Sequence, residues 1–280
     1  MITIKRLLET TKSLLTNPRA VAIYAGLYAV LLATLYFFIT TREATPWQVL
    51  ITLVFLVLIP AEFFLFQAAI IDHSLDQKFH WRAILISAFK LFVATIPILI
   101  IGYALFILLN KWQAHFPAPS AAALPITPGP PKPQLLHWPT LLFATLRGLL
   151  FAVALPLATI HLWIEVVACD LLSSLRGGAK AILKRLGNRF SCAFASDSVL
   201  IYALGLIVFV LVPYVILFVP IPVKGTKTEF AVFILRLVLV FVFTLIGWIA
   251  TVTTLAKTNI ETSTVVSTHP IADAPAEATA

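Results

Sequence analysis

Charged residues are scarce in this chain: Lys, Arg, Asp and Glu make up 11% of its 280 residues, against about 25% in an ordinary soluble domain. Such a shortage excludes a well-solvated globular surface. Cysteine is nearly absent as well. The two present, Cys169 and Cys192, have no second pair to join in a framework, and both fall on the side read below as cytoplasmic, where disulfides do not persist. Missing too are the patterns that carry catalysis in a membrane. There is no His-Glu-x-x-His for zinc, no Gly-x-Ser-x-Gly nucleophile turn and no pair of aspartates inside an apolar run. We therefore expect neither enzymatic activity, nor a metal, nor a cofactor.

What the chain has in excess is hydrocarbon. Sixty per cent of its residues are hydrophobic and the mean hydropathy is +1.00, more than one globular core can bury. Crossing about 30 Å of hydrocarbon takes about 20 apolar residues. Six runs are long enough, at 21–39, 49–71, 83–109, 141–168, 199–219 and 230–255. They predict an all-α, polytopic transmembrane bundle over 20–255, several spans being long enough to tilt or overhang. The first run has 19 residues, longer than a signal-peptide core of about 7–15, and no small-x-small cleavage site follows it, so it reads as a retained helix.

The formal net charge of +8 would suggest nucleic acid in a soluble protein. Here the basic residues flank apolar runs and no separate basic domain exists, so no nucleic-acid partner is expected. One set of segments outside the runs carries Lys5, Arg6, Lys12, Arg19, Lys78, Arg82, Arg176, Lys180, Lys184, Arg185, Arg189 and Lys257, 12 in all. The opposite set has five, Arg42, Lys111, Lys132, Lys224 and Lys227. This bias predicts both ends inside, in a bacterial cytoplasmic (inner) membrane.

Outside the spans three segments stand out. At the start, 1–19, Ile4, Leu7, Leu8, Leu14 and Leu15 share one helical face and Lys5, Arg6, Glu9 and Lys12 mostly the other, as in a helix lying in the membrane interface, which Asn17-Pro18 then breaks. The connection 110–139 holds eight of the 18 prolines, including Pro-Gly-Pro-Pro-Lys-Pro at 128–133. It reads as an extended, outward-facing loop. The stretch 256–280, rich in Thr, Ser and Ala, has little to bury and reads as a disordered tail.

The most informative stretch is 171–192. Leu172, Leu175, Ala179, Ile182, Leu183, Leu186 and Phe190 fall within an arc of about 100° on a helical wheel, Arg176, Lys180 and Lys184 face away, and Arg185 and Arg189 flank the apolar arc. This is the pattern of a basic amphipathic helix on the cytoplasmic leaflet, its cations meeting anionic lipid headgroups; the same pattern also serves a connector that only enforces topology.

Inside the spans, Pro60, Pro97, Pro156 and Pro213 stand near the middle of the second to fifth runs. Each should release the carbonyl four residues earlier (Leu56, Val93, Ala152 and Phe209) and kink its helix. Proline-broken helices at the midplane build substrate sites in some transporters, and proline is also simply tolerated in membrane helices whose neighbours re-satisfy the freed groups. Glu62 and Lys90 fall at depths differing by about 3 Å, placed to pair across a hairpin. His161 and Glu165 share a face of the fourth run. Arg147 and Arg236 lie near the outer end of their spans, within snorkelling reach of headgroups, as anchors or as an anion contact.

A weak repeat pairs Pro60, Asp72 and Ala83-Ile-Leu with Pro156, Asp170 and Ala181-Ile-Leu. With it, the basic stretch Ala-Lys-Ala-Ile-Leu-Lys-Arg-Leu-Gly-Asn-Arg-Phe at 179–190, feeding a long span in a six-helix chain, resembles the membrane domain attached to some bacterial glycerophosphodiester phosphodiesterases and related multi-pass membrane proteins. The likeness covers 49–255 loosely. Its companion hydrolase barrel, of about 250 residues, has no counterpart here, so the resemblance implies a membrane scaffold without hydrolase activity. The expected function is that of a non-enzymatic membrane component organising lipid or partner membrane proteins, the alternative being a small transporter.

Overall fold

The computed structural model describes residues 2–41, 45–116, 137–168, 194–220 and 225–268. The described residues are helical throughout apart from short turns, and six helices are long and apolar enough to cross a membrane: Pro18–Thr40, Pro46–Asp76, Trp81–Ala114, Trp138–Ala168, Ser196–Phe218 and Thr226–Asn259. The chain is an all-α, six-span membrane bundle. We name its α-helices α1 (Ile2–Leu15), α2 (Pro18–Thr40), α3 (Pro46–Asp76), α4 (Trp81–Ala114), α5 (Trp138–Gly148), α6 (Leu155–Ala168), α7 (Ser196–Leu206), α8 (Val212–Phe218) and α9 (Thr226–Thr268). A π-helical segment, Leu149–Ala154, joins α5 to α6, and another, Ile207–Leu211, joins α7 to α8.

Local chemistry sets the helix starts. Asn17 breaks α1 from α2 as expected: its side chain accepts from the Ala20 N–H at 3.2 Å, and Pro18 takes the first helical position, where no N–H is needed. Thr45 and Pro46 repeat this at α3. At its far end α3 stops where Gln77 adopts a left-handed backbone, φ 55°, and returns its N–H to His73. The 31 residues of α3 measure about 46 Å at 1.5 Å each, more than the hydrocarbon thickness, so tilt or overhang is required.

Two boundaries differ from the sequence reading. The helix expected to give way to a disordered tail after Leu255 continues to Thr268, with Ala256 and Asn259 buried. Thr251, Thr254 and Thr258 do not need water, because they donate to the carbonyls of Gly247, Ala250 and Thr254, each one turn back. Likewise α4 runs to Ala114, into the segment read as loop. The rest of the proline-rich connection, at 117–136, and the basic stretch 171–192 lie outside the described residues.

Helix α1 packs against α9, α7 and α2, with Leu14 partly buried against the core. Thr3 and Thr10 are buried and Thr3 donates to Asp197 at 3.3 Å, while Ile4, Leu8 and Leu15 remain exposed. A small-residue edge thus meets the bundle, and Ile4, Leu8 and Leu15 face outward. We call the end of the bundle carrying α1 the near side.

Burial is lopsided along the membrane normal. Tyr24, Ile70, Ile71, Ile84, Leu91, Leu157, Ile160, Ile164, Ile201, Ile249 and Leu255 form one core in the near half. In the far half Val54, Val57, Ile100, Leu142, Tyr214 and Phe233 are exposed. Far-half contacts join helices consecutive through a far-side connection: Thr34 with Glu62, Asn110 with Arg147, and Arg236 with Leu217 and Val219. The bundle is closed on the near side and opens into hairpins on the far side.

Candidate functional site

Between α4 and the fourth span this opening forms a cleft of about 460 Å³. One wall is a stripe on α4, Thr95, Ile98, Leu99, Gly102, Tyr103 and Phe106, spaced three and four residues apart as one helical face requires. Phe151, Leu155, Pro156, Thr159, Ile160 and Trp163 form the other wall, and Phe63 and Trp248 help close the near end. The walls come close at Gly102, where a Cβ would stand 3.4 Å from Leu155 Cδ1, in ordinary van der Waals contact. On the rim Leu99 and Tyr103 are 65% and 68% exposed, so the cleft opens sideways into the membrane.

Its polar atoms are mostly spent on the protein. Trp163 Nε1 donates to Thr95 Oγ1 at 2.8 Å, and Thr95 in turn donates to the Leu91 carbonyl at 2.7 Å. Thr159 donates to Leu155 at 2.7 Å, and Trp248 Nε1 donates to Gln67 Oε1 at 3.0 Å. With those donors engaged, the lining offers hydrocarbon rather than a solvation shell for a polar solute.

The sequence-predicted residues are distributed around this frame. No ion pair joins Glu62 to Lys90, because Glu62 turns to α2, where its Oε1 accepts from Thr34 at 3.0 Å. Equal depth placed the two charges at one level, but the azimuth of each helix decided the partner. Arg147 and Arg236 bind separate hairpins. Arg147 donates to Asn110 Oδ1 at 2.5 Å and lies 5.9 Å from the centroid of the Phe106 ring. Arg236 donates to the carbonyls of Leu217 and Val219 at the end of α8, capping it as a C-terminal cation does. His161 is buried on α6 and Glu165, one turn on, is half-buried. Arg176, Lys180, Lys184, Arg185 and Arg189 lie outside the described residues.

No protein-family model matches the chain, and no curated protein or solved structure does.

The prolines act in two ways. Pro60 and Pro97 sit within continuous α-helix. Pro156 and Pro213 each stand second after a π segment, in which the N–H of Leu155 bonds Leu150 and that of Val212 bonds Ile207, five residues back. One inserted residue moves the ring away from the preceding turn. The carbonyl of Ala152, which Pro156 cannot serve, accepts instead from Tyr202 Oη at 3.1 Å. Sequence reasoning found the orphaned carbonyl and missed its donor. A tyrosine inside an apolar run was the available signal, since a buried phenol needs a partner.

Proposed function

We propose that this chain is a non-enzymatic component of a bacterial cytoplasmic membrane, with both ends inside, that organises lipid or partner membrane proteins. The observation carrying the proposal is the sideways-opening apolar cleft. A surface of this kind suits acyl chains or an apolar helix face, and it gives a polar substrate nothing to replace its water. The 12-to-five basic asymmetry supports the orientation. The basic stretch 171–192 supports contact with anionic headgroups of the inner leaflet. Likeness to the membrane domain of glycerophosphodiester phosphodiesterases belongs to the same proposal, as a membrane scaffold without the hydrolase.

The transport alternative draws on the two π segments at mid-span. In transporters the unwound carbonyls face the substrate; here the Ala152 carbonyl is occupied by Tyr202, which favours the organising role. Purification of the full chain from native membrane in mild detergent tests the reading. Stoichiometric recovery of lipid or of a membrane protein is expected. Recovery of a bound polar solute, with neither lipid nor protein partner, would overturn it in favour of transport.

A further inference from the structure

The two walls of the cleft continue past its far end into one polar pair. On α4 the stripe through Leu99, Tyr103 and Phe106 next reaches Asn110, four residues beyond Phe106. On the other wall, Arg147 stands four residues before Phe151. These are the residues that bond each other, through Arg147 Nη2 and Asn110 Oδ1. Phe106 lies beneath the guanidinium and touches Phe151 edge-on, with centroids 6.1 Å apart. The cleft is thus an apolar slot crowned by a cation.

Nothing among the described residues neutralises that cation. Among the described residues no carboxylate is within ion-pair distance of Arg147, and its Nε has no acceptor. A charge at this depth, with no counter-ion among the described residues, suits an anionic ligand. The slot also has a diagnostic length. Thr95 to Phe106 spans about 16 Å along a straight helix at 1.5 Å per residue, close to half of the about 30 Å hydrocarbon layer. A slot one leaflet deep, opening sideways, fits a chain that already lies in that leaflet.

We propose that the cleft between α4 and the fourth span binds one acyl chain of an anionic phospholipid from the far leaflet, with Arg147 and Asn110 holding its phosphate. The proposal rests on the lipid-organising reading above and specifies its ligand and its site. The phosphate supplies a counter-ion through charge-assisted hydrogen bonds, Asn110 orients the guanidinium, and the tail fills the slot down to Trp163, whose N–H is already engaged by Thr95.

The test reconstitutes the full chain in phosphatidylcholine vesicles containing a trace of photoactivatable lipid. The lipid carries a diazirine in its acyl chain and has either a phosphatidylglycerol or a phosphatidylcholine headgroup; adducts are mapped by peptide mass spectrometry. Adducts should concentrate on Leu99, Tyr103, Phe151 and Leu155, with phosphatidylglycerol preferred about tenfold, because both headgroups offer a phosphate but only phosphatidylcholine sets a choline cation beside Arg147. Arg147→Gln should remove that preference while leaving tail adducts in place. Gly102→Phe should block the slot and the adducts; Leu99→Trp, at an exposed rim position, does the same should Gly102→Phe fail to fold. Even labelling of lipid-facing positions such as Phe89 and Val238, equal use of both headgroups, displacement by inorganic phosphate, or a lipid-free dimer protecting the slot would each overturn the site. Even labelling with lipid still co-purifying would leave the organising reading standing, whereas loss of all lipid and protein on purification would remove that reading as well.

Discussion

The hydroxyl of Tyr202 on α7 lies 3.1 Å from the carbonyl oxygen of Ala152, the group that Pro156 leaves without its intrahelical donor. A break in the fourth span is therefore mended by the fifth. The bond ties two helices together where each changes from α to π geometry or is about to, since the second π segment begins at Ile207. Tyr202 is buried and sits edge-on to Phe209 at 6.3 Å, which fixes the direction of its hydroxyl.

Tyr202→Phe should destabilise the protein by about 1–3 kcal/mol, because it leaves a mid-span carbonyl, away from water, without its donor. The readout is a lower Tm in detergent. Pro156→Ala restores a backbone N–H to the same turn, so the cost of Tyr202→Phe should shrink in the double variant. Equal costs with and without Pro156 would show that the tyrosine does not serve the proline break.

Gly205 and Gly247, in the fifth and sixth spans, should differ sharply from Gly26 and Gly148. A Cβ on Gly205 would fall 2.1 Å from Thr251 Oγ1, and one on Gly247 would fall 2.9 Å from both Phe209 Cβ and Val208 Cγ1. The two spans cross closely here, as small residues allow in membranes. Gly205→Ala and Gly247→Ala should each cost about 1–3 kcal/mol through overpacking. Gly26 and Gly148 have nothing within 4 Å, so alanine there should be neutral or stabilising by up to about 1 kcal/mol. Thermal unfolding of the four single variants decides this, and similar losses at all four would contradict the crossing.

Arg236 should behave as a helix cap. Arg236→Leu strips the donors from the carbonyls of Leu217 and Val219 and should destabilise by about 1–3 kcal/mol. Arg236→Lys should recover part of the loss. A variant that lost phosphatidylglycerol preference at unchanged Tm would instead assign Arg236 to anion binding.

Glu62 should couple to Thr34 and not to Lys90. In double-mutant cycles read by Tm, Thr34→Val with Glu62→Gln should give a coupling of about 0.5 kcal/mol or more, and Lys90→Gln with Glu62→Gln about zero. The reverse ranking would restore the ion pair across the α3–α4 hairpin.

Much of this could be read along the chain because a membrane leaves few options. Apolar runs longer than about 18 residues must be helices, since hydrocarbon offers the backbone no other partners. For that reason six spans, the break at Asn17-Pro18 and the positions of Pro156 and Pro213 were legible before any coordinates. The end of α9 was not. Thr258 fell in the stretch read as a tail, yet it satisfies its hydroxyl on its own helix, and burial of Ala256 and Asn259 depends on neighbours that local sequence does not reveal.

The sequence by itself determined that charge is too rare and hydrocarbon too abundant for anything but a six-span helical bundle, because transfer free energy acts on each segment separately. Rotation and separation of the helices were left to the tertiary structure. Lys90 and Thr34 were both within reach of Glu62 by depth, and only the packing of α2 on α3 selected Thr34. The near half closes and the far half opens because contacts between helices depend on which faces meet. An identical list of apolar residues would fill a sealed bundle equally well; the crossing at Gly205 and Gly247 and the opening crowned by Arg147 and Asn110 arise from three-dimensional fit.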